Sequence, residues 1–300
     1  MKKYIAFDVG GTNVKHGLLD EQGAILTKDK YPTQREHLDK FLIDMVAVIR
    51  SYQESNDDVE GIAISLPGAI NTETGFAYFG GAITALDRQN ITQLLAVHTS
   101  LPIEVENDGN CVALAEKFNG NATECSNFIC FTIGTGIGGG IYVNNQIVHG
   151  HNFRGGEFGF MVTRGSEEDR QSMHDNAATG SLIKIYKAFK GIPESERVEG
   201  IVIFEEAETN EQVKEIVETW LQSISFGIYN LAVALNPEKI LIGGAVSSRD
   251  DLLEGINKYL VKLPQWHLLK VPLETCKHHN DAGLLGAFNN FLTKSNKISQ

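Results

Sequence analysis

The sequence is poor in cysteine, short of positive charge and without a long apolar run. Its four cysteines, Cys111, Cys125, Cys130 and Cys276, form no Cys-x-x-Cys pair and follow no regular spacing. A disulfide framework is thereby excluded, and reduced structural thiols are expected. Against 38 acidic residues stand 26 basic ones, for a formal net charge of −12. Such a balance repels nucleic-acid backbones and anionic membranes, yet admits small anions that arrive with a divalent metal. The apolar stretch in "MKKYIAFDVGG" is broken at Asp8, so neither a secretory leader nor a membrane helix fits, and a cytoplasmic location is expected. No biased tract points to disorder. There is no Gly-x-x-x-x-Gly-Lys-Ser/Thr either, which excludes a P-loop.

What is present is a globular composition, 42% hydrophobic and 21% charged over 300 residues, long enough for two lobes. "YIAFDVGGTNVKHGLLDEQGAILTKDKYP" reads as three short strands separated by polar turns. A helix follows, in which Leu38, Phe41, Leu42, Met45, Val46, Ile49 and Tyr52 make one apolar stripe. "VEGIAISLPGAI" returns to strand, "ITQLLAVH" is a short helix, "PIEVEND" a strand and "CVALAEKFNG" a helix. Further on, "NAATGSLIKIYKAF" and "EQVKEIVETWLQSISFGIYNLAVAL" read as helices, with Asn236-Pro237 ending the second. "KILIGGAVS" is a buried strand, "DLLEGINKYLVKL" a helix, "VPLETCKH" a strand and "DAGLLGAFNNFLTK" a terminal helix. Alternation of this kind signals a largely parallel sheet covered by helices.

The opening stretch recurs. "FDVGGTNVKHGLLDEQG" from Phe7 lies over "FTIGTGIGGGIYVNNQI" from Phe131 without a gap, placing Asp20-Glu21 on Asn144-Asn145, so the chain reads as duplicated. Within the second copy, Gly134-x-Gly136-x-x-Gly139 matches a dinucleotide fingerprint, which works only where the glycines join a strand to a helix. Here "GIYVNNQIV" follows, and β-branched residues around Asn-Asn make a hairpin instead. Two glycine turns remain, whose unshielded amides can donate to phosphate oxygens, or which are simply tight turns.

Asp8 ends a buried strand where the first turn begins. A carboxylate there can hold water of a bound Mg²⁺, or can cap the hairpin as an Asx-turn residue. Asp108, at the end of "PIEVEND", can accept a proton or serve as the N-cap of the helix that follows. Glu157, after Gly155-Gly156, reads locally as a loop acid. His149, His151, His174, His278 and His279 lack metal-ligand spacing and read as surface or capping histidines. The charge run "SEEDR" reads as a solvated loop.

Taken together, "FDVGGTN", "ENDGN", "IGTGIGGG", "GGEFGF", "NPEKILIGGAVS" and "DAGLLGA" resemble the ROK family of sugar kinases over essentially the whole chain. "YFGGAITALD", "GGEFGFM" and the missing zinc motif are most similar to its β-glucoside kinases. The resemblance implies an α/β fold, a duplicated actin-like ATPase domain (ribonuclease H-like) in two lobes with a central interlobe cleft. The lobes are expected at 1–117, joined by the terminal helix 281–300, and at 118–280. It implies ATP and Mg²⁺ as cofactors. Asp8, Gly10, Gly11, Thr12 and Asn13 become the first phosphate loop, with Asp8 on the metal through water; Gly134, Thr135 and Gly136 become the second. Gly243, Gly244 and Ala245 line the adenosine pocket. Asn107 and Asp108 hold the acceptor hydroxyl, Asp108 as catalytic base, while Gly68 and Glu157 bind the sugar.

Where most members carry a histidine and a Cys-x-Cys-Gly-x-x-Gly-Cys cluster, this chain has Phe160 and no cysteine, so structural zinc is not expected. Sliding "NAATG" onto the family's Ala-Ser-Gly helix puts Asp175 in place of a further sugar-binding glutamate. Phe160 offers an apolar face for a second sugar or an aglycone. The expected activity is phosphorylation of the 6-hydroxyl of a β-glucoside such as cellobiose, with glucose and N-acetylmannosamine as alternative acceptors. A sugar-responsive transcription regulator and a non-catalytic sugar sensor are the alternatives of another class. Since the chain opens directly on the first strand and is acidic, no nucleic acid or membrane partner is expected. Homodimers are common in the family.

Overall fold

The structure, a computed structural model, describes residues 2–165 and 170–298. Residues 166–169 of the charge run lie outside the described residues. In chain order the elements are β1 (Lys3–Val9), β2 (Asn13–Asp20), β3 (Ile25–Pro32), α1 (Leu38–Ser55), β4 (Val59–Leu66), β5 (Ala69–Asn71), β6 (Phe76–Phe79), α2 (Ile91–Ala96), β7 (Ile103–Asn107) and α3 (Asp108–Asn119). There follow β8 (Phe128–Ile133), β9 (Ile137–Val143), β10 (Gln146–Ile147), β11 (Val162–Gly165), β12 (Arg170–Ser172), α4 (Met173–Asn176), α5 (Thr179–Lys190), α6 (Gly200–Ala207) and α7 (Glu211–Leu235). The chain ends with β13 (Lys239–Gly243), α8 (Leu252–Leu260), α9 (Trp266–Leu269), β14 (Leu273–Thr275) and α10 (Ala282–Ile298). Among the described residues no helix is long and apolar enough to cross a membrane.

The chain divides into two compact units. One comprises the residues up to Glu124, Ile147–Gly155 and the segment from Asn280 onward; the other comprises Cys125–Gln146 and Gly156–His279. The first therefore runs past residue 117 and takes in a short segment from the middle of the sequence.

In the first unit five strands lie in the order β3-β2-β1-β4-β7. The first three are an antiparallel meander, and β1, β4 and β7 run parallel. Alternation along β1 sorts its side chains to two faces. Ile5, Phe7 and Val9 pack with Phe41, Met45, Val46 and Ile49 of α1, each such burial stabilising by roughly 1.5–3 kcal/mol. Tyr4 and Ala6 face the other way, onto Cys111 and Ala115 of α3 and Leu284, Phe288 and Phe291 of α10. Asp8 continues that second face, and Gly283 of α10 leaves room for it: a Cβ there would fall 2.2 Å from Asp8 Cγ.

The second unit repeats the plan in the order β10-β9-β8-β13-β14, as the sequence duplication requires. The ungapped superposition needs a correction, however. Val9 pairs with Val14 in the first hairpin, enclosing Gly10, Gly11, Thr12 and Asn13. Ile133 pairs with Ile137 in the second, enclosing only Gly134, Thr135 and Gly136. The second turn is one residue shorter, so β2 and β9 superpose only with a gap.

Its core is organised around α7. Asn210 caps this helix by accepting from Gln212 N and Val213 N, and Asn236 ends it in the left-handed conformation (φ 41°), just before Pro237. Trp220 is buried and donates from Nε1 to Ala178 O at 3.0 Å. The helix expected across "NAATGSLIKIYKAF" is broken between α4 and α5, because the amides of Thr179 and Gly180 turn to Gly134 O (2.9 and 3.4 Å). α6 has no counterpart in the sequence reading.

Candidate active site

Every candidate residue of the first unit sits at the carboxyl end of β1, β4 or β7, where ligands of parallel sheets bind. Register carries one polar row across four strands there: Lys15 on β2 pairs with Asp8 on β1, Asp8 with Ser65 on β4, and Ser65 with Glu106 on β7. Lys15 Nζ lies 3.1 Å from Asp8 Oδ2 and also donates to Asn280 O, while Ser65 Oγ donates to Asp8 Oδ1 at 3.1 Å. Asp8 is thus a paired carboxylate and not an Asx-turn cap.

The first turn is closed by Gly10 N donating to Asn13 O at 3.0 Å. Thr33 braces it from β3's end, with Oγ1 donating to Gly10 O (2.6 Å) and N to Thr12 O (3.1 Å). The Gly10 amide is thereby engaged within the turn.

Glu106 anchors the other end of the row. It is buried, and its Oε1 accepts from Asn107 N (2.8 Å) and Asn110 Nδ2 (3.0 Å) while Oε2 meets His149 Nε2 at 2.8 Å. Its neighbour Asn107 is the N-cap of α3: Oδ1 accepts from Asn110 N at 3.1 Å, and Nδ2 donates to Gly68 O at 2.9 Å. The cap that the sequence offered to Asp108 therefore belongs to Asn107. Asp108 occupies the first helical position, exposed, with Oδ1 accepting from Gly109 N at 2.8 Å. Burial, and then the Glu106 carboxylate, push the neighbouring Cys111 thiol well above its usual range. Its sulfur is inert structure. Gly68 adopts φ +91°, and a Cβ there would lie 2.1 Å from Phe79 O, so only glycine fits the turn that receives Asn107.

In the second unit the equivalent row is uncharged: Gly138, Thr132 and Gly243 pair across β9, β8 and β13. The second turn closes through Gly134 N to Gly136 O (2.9 Å). A Cβ on Gly180 would fall 2.4 Å from Thr135 O, so the start of α5 seats directly against the turn. His174, from α4, buttresses its other side, with Nδ1 accepting from Ile137 N at 3.1 Å. Gly244 (φ +91°) leaves β13 and packs on Ile133 O, immediately before the turn, with Ala245 next in chain. The segment Gly243, Gly244 and Ala245 thus lies beside the second turn.

Glu157 and Asp175 belong to the same neighbourhood. Glu157 begins the short turn Phe158–Phe160, whose Gly159 packs on the His174 ring and whose Phe160, 67% exposed, stands edge-on to that ring at 5.0 Å. Asp175 follows His174 and is exposed. Its Oδ2 accepts from Ser172 Oγ (2.6 Å) and Ser172 N (2.9 Å), which holds its carboxyl below the usual range. His149 and His174, read from sequence as surface or capping residues, are instead parts of the frame around Asn107 and the second turn. Lys15, Thr33, Ser65 and Glu106 also went unassigned; only "ENDGN" drew attention to the last.

Residues 4–294 match the ROK family. Among similar proteins are the beta-glucoside kinase of Listeria monocytogenes, 35% identical over 98% of this chain and 99% of the relative, and that of Klebsiella pneumoniae, 37% identical over 96% of each. Among solved structures, the Lmo2764 protein of Listeria monocytogenes superposes with a TM-score of 0.89 at 34% identity, covering 98% of this chain and 99% of that one. A ROK family protein of Streptococcus pneumoniae TIGR4, in complex with sucrose, gives 0.87 at 29% identity with the same coverage. Family, fold and end-to-end likeness to named kinases agree: the chain belongs to the ROK family.

Proposed function

We propose that this carbohydrate kinase transfers the γ-phosphoryl group of ATP to the 6-hydroxyl of a β-glucoside such as cellobiose, with Asp108 as general base. The observation that carries the reading is the division of roles at the end of β7. Asn107 caps α3 and reaches Gly68, while Asp108, at the first helical position, is exposed. A positioned base of this kind contributes on the order of 10²–10⁴ in rate, the remainder coming from placement and charge stabilisation of the phosphoryl group.

In this reading Gly68, Asn107, Glu157 and Asp175 hold the sugar. The turns at Gly10, Gly11, Thr12 and Asn13 and at Gly134, Thr135 and Gly136 hold phosphates, and Gly243, Gly244 and Ala245 line the adenosine. Asp8 provides one hard oxygen donor, and among the described residues no group of three or more His, Cys, Asp or Glu could hold a metal. That donor set suits a hydrated Mg²⁺ delivered with the nucleotide, touched by Asp8 through water. When bound, the ion neutralises charge on the phosphates.

One observation on relatives supports the acceptor: the named beta-glucoside kinases at 35–37% identity. The test is sugar-dependent ADP release with Mg²⁺ and ATP over cellobiose, aryl β-glucosides, glucose and N-acetylmannosamine. The highest kcat/KM is expected on a β-glucoside. Preference for glucose or N-acetylmannosamine would overturn the acceptor, and ADP release independent of every sugar would favour a sensor.

A further inference from the structure

Three aromatic side chains gather near Asn107, all within the first unit, and none is absorbed by the chemistry above. Phe76 and Tyr78 on β6 stand edge to face at 5.2 Å, and Tyr78 stacks on Phe153 at 6.4 Å with 22° between the planes. Tyr78 and Phe79 are 48% and 50% exposed, an unusual cost for adjacent large rings. Phe153 sits at φ +56°, a left-handed conformation that a bulky side chain rarely adopts and that costs on the order of 1–3 kcal/mol. Strain of that kind persists only where the surrounding structure over-determines it, and such residues cluster at ligand sites.

Two short routes tie these rings to the acceptor residues. On one side the Phe153 ring lies 5.9 Å from His149, whose Nε2 meets Glu106, which in turn holds the Asn107 amide. On the other, the backbone of Phe79 packs against Gly68, whose carbonyl receives Asn107 Nδ2. The Phe153 ring is thus linked to Asn107 through His149 and Glu106, and strand β6, which carries Tyr78, is seated against Gly68 by its backbone.

We propose that Tyr78 and Phe153 form a stacking subsite for the second ring of a β-glucoside, the aglycone sugar or aryl group. A pyranose presents an apolar C–H face, and an aryl aglycone a π face; either is bound by an exposed aromatic side chain through apolar burial and ring contact. The inference rests on the β-glucoside reading above and assigns the residues that would favour a glucoside over glucose.

The test compares Tyr78→Ala, Tyr78→Phe and Phe153→Asn, the last chosen because asparagine tolerates the left-handed backbone. KM and kcat are measured for cellobiose, phenyl β-glucoside and glucose, and calorimetry without ATP follows phenyl β-glucoside binding. Tyr78→Ala and Phe153→Asn are expected to raise KM for both glucosides about tenfold, with glucose changed less than about twofold and Tyr78→Phe close to wild type. Equal losses on glucose and glucosides, or no loss on either, would overturn the subsite. If no sugar is phosphorylated but phenyl β-glucoside binds and Tyr78→Ala weakens it, the subsite stands and the kinase reading falls. If wild type binds no glucoside, the subsite falls.

Discussion

Lys15 Nζ lies 3.1 Å from Asp8 Oδ2, because residues 8 and 15 are partners in the antiparallel register of β1 and β2. The Lys15 side chain is 37% exposed, and a pair of that kind contributes at most about 1 kcal/mol to stability. Its larger effect belongs to the ligand, since it offsets the negative charge of Asp8 where MgATP is proposed to arrive. Lys15→Met is expected to leave the melting temperature nearly unchanged and to raise KM for MgATP about tenfold or more. A lower melting temperature with unaltered kinetics would make the pair purely structural.

Gly244 has φ 91° and ψ 167°, a region open essentially to glycine alone, and a Cβ there would fall 2.1 Å from Ile133 O. Gly244→Ala is expected to cost about 3 kcal/mol or more, from strain and the displaced β8 end together. Because Ile133 precedes Gly134, nucleotide affinity should fall as well. Gly191 is the control: it has φ +67° but nothing within 4 Å of an added Cβ, so Gly191→Ala should cost about 1–2 kcal/mol and leave kinetics intact. Urea melts and MgATP titrations of both variants check the contrast.

Asp8 is legible in the sequence because a charge interrupts an apolar run one residue before Val9 and the Gly-Gly turn. Its partners are not. Lys15 and Ser65 meet it only through strand register, and His149 reaches Glu106 across 43 residues of chain, so no local pattern announces either contact. The duplication is visible, but its one-residue gap is not: Gly138, Gly139 and Gly140 in succession give no side chains by which to choose between registers. α6 escapes notice because Ile201 and Val202 are exposed while Ile203 and Phe204 are buried, which blurs the helical period. Asn107 and Asp108 are both capping residues by type, and only the backbone decides which of them caps.

Glu206 ties three helices of the second unit together. Its carboxylate accepts from Tyr186 OH (2.6 Å) and Lys190 Nζ (2.9 Å) of α5, and from Nδ2 of Asn210 (2.7 Å), the cap of α7. These bonds, that of Tyr186 foremost, lower its pKa from 4.5 to about 2. A carboxyl with a depressed folded pKa stabilises fully above its unfolded value, and the contribution is lost as pH falls from 4.5 through 2. Glu206→Gln should reduce stability near neutrality and flatten the acid limb across that window. Urea melts over a pH series check it; an unchanged slope would show that the carboxylate is not coupled to folding.

Asp108→Asn separates chemistry from folding. Asn107 remains to cap α3, and the Gly109 N bond at 2.8 Å can be accepted equally by an asparagine Oδ1. Loss of a carboxylate from the first helical turn should cost stability only about 1 kcal/mol or less. Asparagine still hydrogen-bonds a sugar hydroxyl but cannot take its proton, so KM for the sugar should change by only a few-fold while kcat falls on the order of 10²–10⁴. A parallel loss in kcat and sugar binding would make Asp108 a binding group, and preserved kcat would remove it as the base. Substituting Asn107→Ala instead should unseat the helix start and the Gly68 contact together, costing about 1 kcal/mol or more in stability and raising KM, so the two neighbours are distinguished by which constant moves.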